Sequence, residues 1–121
     1  MDPAGSKRLI GVVGPCGAGK STLIGGLEQH GFACRHIAQE HSYVQAMWQI
    51  ISKPDILIYL HSSFDTSTQR RKLNWLEKDY DEQLRRLSHA RAHADILVET
   101  DNLTPVQVLQ IAMDALAKLH V

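Results

Sequence analysis

One run of fourteen residues constrains the chain more than any other. Leu9-Ile10-Gly11-Val12-Val13 is almost continuously apolar, and it leads straight into Gly14-Pro15-Cys16-Gly17-Ala18-Gly19-Lys20-Ser21-Thr22. An uninterrupted apolar run is the mark of a strand buried on both faces, as in a parallel sheet. The segment behind it fits G-x-x-x-x-G-K-[ST] without a mismatch. Each residue type there has a physical reason. Glycines tolerate positive φ and let backbone N–H groups approach an anion closely. The helix expected from Lys20 to about His30 turns its positive end toward the same anion. Lys20 can bridge β- and γ-phosphates, Ser21 can place its hydroxyl on Mg²⁺, and Thr22 adds a donor. A strand before the motif and a helix after it are the context in which the pattern binds nucleotide.

The rest of the chain repeats the alternation of strand and helix. Residues 32–38 form a second expected strand, Asp55-Ile56-Leu57-Ile58-Tyr59-Leu60 a third and Ile96-Leu97-Val98 a fourth. Tyr43, Val44, Met47, Trp48 and Ile51 recur at helical spacing, and Lys53-Pro54 ends that helix. Ser63 to about Leu73 reads as a short helix. The next helix is capped by Asp79 with Glu82 as its partner and runs to about Ala94, with Tyr80, Leu84, Leu87 and Ala94 inward. Thr104-Pro105-Val106-Gln107 is a helix start with cap, proline at the first position and glutamine at the third. That last helix directs Leu109, Ala112, Leu116 and Leu119 at the core. The pattern predicts an α/β chain: a four-stranded parallel sheet in the order 2-1-3-4, with helices on both faces in three αβα layers. Residues 1–6 read as a flexible lead-in and residues 7–121 as one nucleotide-binding domain.

Composition narrows the partners. Thirteen Lys and Arg balance thirteen Asp and Glu, so the net basic field that bulk nucleic-acid or anionic-membrane binding needs is absent. No apolar run approaches the roughly 18 residues of a membrane span. Two cysteines, Cys16 and Cys34, are too few for a disulfide framework, which points to a reduced, cytoplasmic protein. The histidines are scattered, and no structural zinc is expected from them.

With the phosphate loop in place, the chain resembles the P-loop kinases, the small nucleoside, nucleotide and metabolite kinases. A second likeness is Ala94-Asp95-Ile96-Leu97-Val98-Glu99-Thr100-Asp101-Asn102-Leu103-Thr104-Pro105, similar to the final strand and last helix start of such kinases. The resemblance implies that Thr100, Asp101 and Asn102 border the base. No Asn-Lys-x-Asp guanine-reading motif occurs, so it implies ATP rather than GTP. A third likeness is the arginine set. Arg70-Arg71 follow the third strand, and the segment Asp79 to Leu87 looks like the helix returning from a lid, here only residues 72–79 long. On that likeness Arg71 and Arg86 grip phosphates, with Arg70, Arg85 and Arg91 as alternatives. The other reading is a solvated helix face, with Asp81–Arg85 and Glu82–Arg86 as i,i+4 pairs; such a pair contributes only ~0.5 kcal/mol and does not exclude a ligand role.

The metal carboxylate is the open position. The third strand ends Leu60-His61-Ser62-Ser63 with no acid until Asp65, and Asp55 lies at its other end. Glu40, just after the second strand, is better placed as a magnesium-linked or catalytic carboxylate, or else is an exposed loop acid. His41 is either a proton carrier or a solvated loop residue. His61 and Ser62 face the same crevice by the open α/β rule. Cys16 is either a thiol activated at a helix N-terminus or a tolerant loop position. Trp48, with Tyr43 and Met47, is core or a dimer contact.

Three functions remain open on the sequence. One is a compact Mg²⁺-dependent kinase acting through Lys20, Glu40, Arg71 and Arg86 on a small acceptor. A second is an ATP-binding or hydrolysing module whose state governs a protein partner or a homodimer. A third is a kinase-derived protein that binds nucleotide without useful turnover. Only residues 39–54 are available for an acceptor after the second strand.

Overall fold

The computed structural model describes residues 8–121; the lead-in at residues 1–6 lies outside the described residues. Four parallel strands form one sheet: β1 (Leu9–Val13), β2 (Ala33–His36), β3 (Ile56–His61) and β4 (Ile96–Glu99), in the order β2-β1-β3-β4. The register sets Ile10 beside Cys34 and Ile56, and Ile58 beside Ile96. Helices α1 (Lys20–Gln29), α2 (Met47–Ile51), α3 (Phe64–Arg71), α4 (Glu77–Arg86), α5 (Ser88–His93) and α6 (Pro105–Lys118) connect and cover the strands. The fold is α/β with the expected strand order.

Side-chain alternation along the strands divides the core into two. Ile10, Val12, Ile56, Ile58, Leu60, Ile96 and Val98 pack with Leu23 and Leu27 of α1 and Val108, Ala112 and Leu116 of α6. On the other face Val13, Leu57 and Tyr59 pack with Ile37, Trp48, Leu87 and Ala90. Gly11 of β1 faces that second layer. A Cβ there would stand 2.6 Å from Ile37 and 2.9 Å from Pro54, so the strand stays glycine where the neighbouring layer comes closest.

Two helices differ in extent from their sequence expectation, each because side chains take backbone partners. The helix expected across 43–51 covers only Met47–Ile51, preceded by a 3-10 turn at Gln39–His41. Buried Gln39 explains it: its amide donates to Val44 O (2.8 Å) and its oxygen accepts from Trp48 N (2.9 Å). The helix expected across 79–94 starts at Glu77, and Asp79 is its third residue, accepting from Leu76 N at 2.9 Å. It breaks at Leu87 because the Arg85 carbonyl accepts from Gln45 Nε2 and Ser88 Oγ, and the Arg86 carbonyl from Gln39 Nε2. Such side-chain bonds compete directly with the helical ladder. In α6 the Thr104–Gln107 capping box forms as expected, but Val108 is buried and Leu119 is exposed.

Residues 72–79 are held by aromatic contacts. Trp75 stacks on Phe64 and meets Tyr80 edge-on, and its Nε1 donates to Thr68 Oγ1 at 2.7 Å. No helix among the described residues is long and apolar enough to cross a membrane.

Candidate functional site

The crevice sits where β1 ends between β2 and β3, and the loop that leaves β1 forms its floor. That loop is packed hard against its neighbours. A Cβ on Gly14 would overlap the Leu60 carbonyl, and one on Gly17 would stand 2.6 Å from Ser67 O. Gly17 also has φ +85, which L side chains rarely adopt. Ala18 N donates to Pro15 O at 3.2 Å, closing a turn ahead of α1.

Lys20, at the first turn of α1, is 6% exposed. Its Nζ donates to Gly14 O at 2.6 Å and to Pro15 O at 3.1 Å. It also lies 2.9 Å from Glu40 Oε2. Glu40 is 3% exposed, in the 3-10 turn directly after β2. Its second oxygen, Oε1, is buried and has no hydrogen-bond partner among the described residues. Strand order brings these two residues together: β2 lies beside β1, so the loop following β2 meets the loop following β1. A buried carboxylate needs a paired cation and further donors. Lys20 provides the cation for Oε2 and leaves Oε1 with spare acceptor capacity.

A cavity of about 470 Å³ opens above the loop. Its lining runs from Cys16 through Leu23, then His36, Ala38, Glu40 and His41 on one side and Arg70 and Arg71 on another, with an apolar wall of Leu103, Pro105 and Val108. That volume lies within the ~300–1,000 Å³ typical of small-molecule pockets. Burial pushes the His36 imidazole below its ordinary pKa; Lys20 and His41 add to this, and Glu40 opposes it.

The other candidates divide between cavity and support. Arg71 lines the cavity. Arg70 does so too, but its guanidinium is engaged, donating to Thr100 Oγ1 (2.8 Å), Thr100 O (2.6 Å) and Gly17 O (3.3 Å). Arg86 stands behind Glu40, outside the lining. Its NH1 donates to Glu40 O at 3.4 Å, its Nε is 3.5 Å from Glu82 Oε2, and its guanidinium lies 4.3 Å over the Tyr43 ring. Arg85 pairs with Glu82 on the surface, and Arg91 lies over the Tyr59 ring.

Thr100 is buried and donates to His61 O at 2.9 Å. Asp101 accepts from Ser63 N at 3.0 Å. Partial burial works to raise the Asp101 carboxyl, but hydrogen bonds from the Ser63 backbone and the Ser63 and Thr66 side chains outweigh it, and the net shift is downward. Asn102 is exposed with φ +64. Thr100 and Asp101 thus tie the β4 end to β3 and α3, while Leu103, Pro105 and Val108 reach the cavity. In the sequence Pro105 reads only as part of a helix start, and Leu103 and Val108 carry no site signal. His61 and Ser62 also serve locally. His61 stacks on Tyr59, and Ser62 Oγ bonds Ser67 Oγ while its carbonyl accepts from Tyr80 OH.

One feature gave no usable signal in the sequence, and a second gave one that was misread. Gln83 of α4 is 8% exposed and grips Cys16, accepting Cys16 N–H on Oε1 at 3.0 Å and donating from Nε2 to Sγ at 3.2 Å. His89 and His93 correct the reading of scattered histidines. They stand four apart on α5, with rings stacked at 4.2 Å, and His89 Nδ1 accepts from Trp48 Nε1 at 3.0 Å. That bond assigns His89 to packing on Trp48.

No protein-family model matches the chain, and no curated protein matches it either.

Proposed function

We propose that the protein binds ATP with Mg²⁺ and acts as a compact, kinase-like phosphotransferase of the P-loop type on a small acceptor. The observation that carries this reading is the buried Lys20–Glu40 pair under a cavity lined by the motif from Cys16 to Thr22. A lysine sequestered against two carbonyls and a carboxylate is a cation held ready for stronger acceptors, and phosphate oxygens are such acceptors. Residues Gly14 to Thr22 cradle the phosphates, and Arg71 adds charge from the opposite wall. The wall of Leu103, Pro105 and Val108 suits the flat face of a base, and Thr100 and Asp101 hold that wall in position, with exposed Asn102 beside it.

The residues present fit Mg²⁺: the Ser21 hydroxyl and the Glu40 carboxylate are hard oxygen donors, and Glu40 Oε1 has unused acceptor capacity. Bound there, the ion neutralises charge on the transferring phosphoryl group. Arg86, through Glu40 O, keeps the carboxylate loop in place. The acceptor belongs in the part of the cavity bounded by His36, Ala38 and His41. Two free thiols suit a reducing, cytoplasmic setting.

A second reading has its own observation. Tyr43 is 85% exposed and Ile51 70%, on the segment directly after Glu40. Exposed apolar groups at that position suit a module whose nucleotide state is read by a partner or a second copy. Incubation with γ-labelled ATP and a metabolite mixture separates the two. Label on a metabolite establishes the kinase; label only as free phosphate establishes the ATPase. Lys20→Ala abolishes ATP binding by calorimetry if the phosphate-loop reading holds, and unchanged affinity in a folded variant sinks it.

A further inference from the structure

We infer that Cys16, His41 and Glu40 form a three-ligand site for a thiophilic divalent cation of the zinc class at the mouth of the cavity. The three side chains come from two loops that meet only because β2 lies beside β1. Cys16 Sγ is 3.7 Å from His41 Nε2, and His41 Nε2 is 3.8 Å from Glu40 Oε2. One ligand atom from each residue lies within 4.8 Å of the others. Tetrahedral zinc, with bonds of ~2.3 Å to sulfur and ~2.0–2.1 Å to nitrogen and oxygen, holds its ligand atoms about 3.3–3.6 Å apart. The three atoms are therefore within a few tenths of an ångström to about one ångström of a coordinating arrangement. A sulfur–nitrogen–oxygen set selects zinc-class ions over Mg²⁺ and Ca²⁺, which take oxygen.

Two further observations point to a ligand rather than a chance cluster. Glu40 is 3% exposed, and its Oε1 is buried without a hydrogen-bond partner among the described residues. Buried Gln83 fixes the thiol by donating to Sγ while accepting the Cys16 N–H. Orienting bonds of this kind beside a metal ligand are worth about 10–100-fold in affinity. Cys16 is partly exposed and the His41 side chain is 59% exposed, which gives an entry path from solvent.

Coordination is balanced simply. The Cys16 S–H bond breaks, its proton passes to solvent, and the sulfur lone pair forms the bond to the cation with no change of oxidation state. The thiolate and the carboxylate match the cation's two charges, and Lys20 remains as a net positive charge. With three protein ligands, the fourth position is open to water or an anion oxygen, the pattern of a reactive rather than a structural zinc site.

The site stands on its ligand geometry and does not depend on nucleotide binding, so its test uses none. Reduced, metal-free protein is titrated with Co²⁺. One equivalent should give a thiolate-to-cobalt charge-transfer band and tetrahedral ligand-field bands, which Zn²⁺ then displaces. Cys16→Ser should remove the charge-transfer band. Cys34→Ser should retain it: Cys34 lies on β2, and burial, with help from Glu28, pushes its thiol up to about 11. His41→Ala, at an exposed position and with its fold checked by circular dichroism, should weaken Co²⁺ binding at least about tenfold, and Gln83→Leu about 10–100-fold. Absence of the band at saturating Co²⁺, its survival in Cys16→Ser, its loss in Cys34→Ser, or unchanged affinity in His41→Ala would each overturn the assignment.

Discussion

Replacing Lys20 with methionine tests how the site is held when no anion is bound. The side chains of the Lys20–Glu40 pair are 6% and 4% exposed, so solvent screens the pair little. Methionine fills most of the lysine volume, which isolates the charge. The change leaves the Glu40 carboxylate buried with Oε1 already unpartnered and Oε2 stripped of its cation. Removing one member of a buried ion pair costs about 3–5 kcal/mol. In a chain of this size each kcal/mol lowers the melting temperature by roughly 4 °C, so the expected drop is about 12–20 °C.

Glu40→Gln should cost far less, about 1–2 kcal/mol, because Lys20 keeps its bonds to Gly14 O and Pro15 O. The double variant should then be less destabilised than the sum of the two singles by about 2 kcal/mol or more, since no buried charge remains uncompensated. Urea denaturation of the wild type and the three variants closes the cycle. If the two single changes cost the same and add to within about 0.5 kcal/mol, the pair is uncoupled and the reasoning fails.

The two neighbouring arginines should separate in the same assay. Arg70→Ala loses three hydrogen bonds to Thr100 and Gly17 and should cost about 2–3 kcal/mol, whereas Arg71→Ala should stay within about 0.5 kcal/mol of wild type while weakening ATP binding. Equal stability losses would remove the distinction. Acid should destabilise the fold through His61. Its buried Nδ1 has no hydrogen-bond partner among the described residues, and burial, then Arg91, lowers its pKa against the opposing pull of Glu99 and Asp101. The unfolded chain therefore binds the proton more readily. Stability is full above the ordinary histidine value of about 6.5 and falls as pH drops below it. His61→Phe keeps the stack on Tyr59 and should flatten the fall in melting temperature between pH 7 and pH 5; an unchanged slope would assign the effect elsewhere.

The strands and their layers were legible in the sequence because they follow from local signals of unequal strength, and the strand order came from the open α/β rule rather than from any local signal. Leu9–Val13 and Ile56–Leu60 are apolar on both faces, which only a covered parallel sheet satisfies. Thr104-Pro105-x-Gln107 writes its own capping box in four consecutive residues, and it formed as read. The helices near Gln39 and Leu87 were not legible. Their lengths were decided by Gln39, Gln45 and Ser88 side chains bonding to carbonyls and amides that a period count assigns to the helix.

The candidate site divides in the same way. The phosphate-loop motif is a contiguous string, so glycines, lysine and hydroxyls could be named without a fold. Glu40 could be named only as one of two possibilities, because whether a loop acid is buried depends on which strand lies next to β1. Its burial against Lys20, the clamp of Gln83 on Cys16 across 67 residues, and the gathering of Cys16, His41 and Glu40 appear only once the sheet is assembled. The chain by itself determined the glycine-rich loop and the strands that carry it, since backbone conformation and hydrophobic period act between near neighbours. Tertiary structure alone decided which polar side chains share that loop's low-dielectric surroundings, because those distances are set by sheet order and helix docking and no spacing along the chain encodes them.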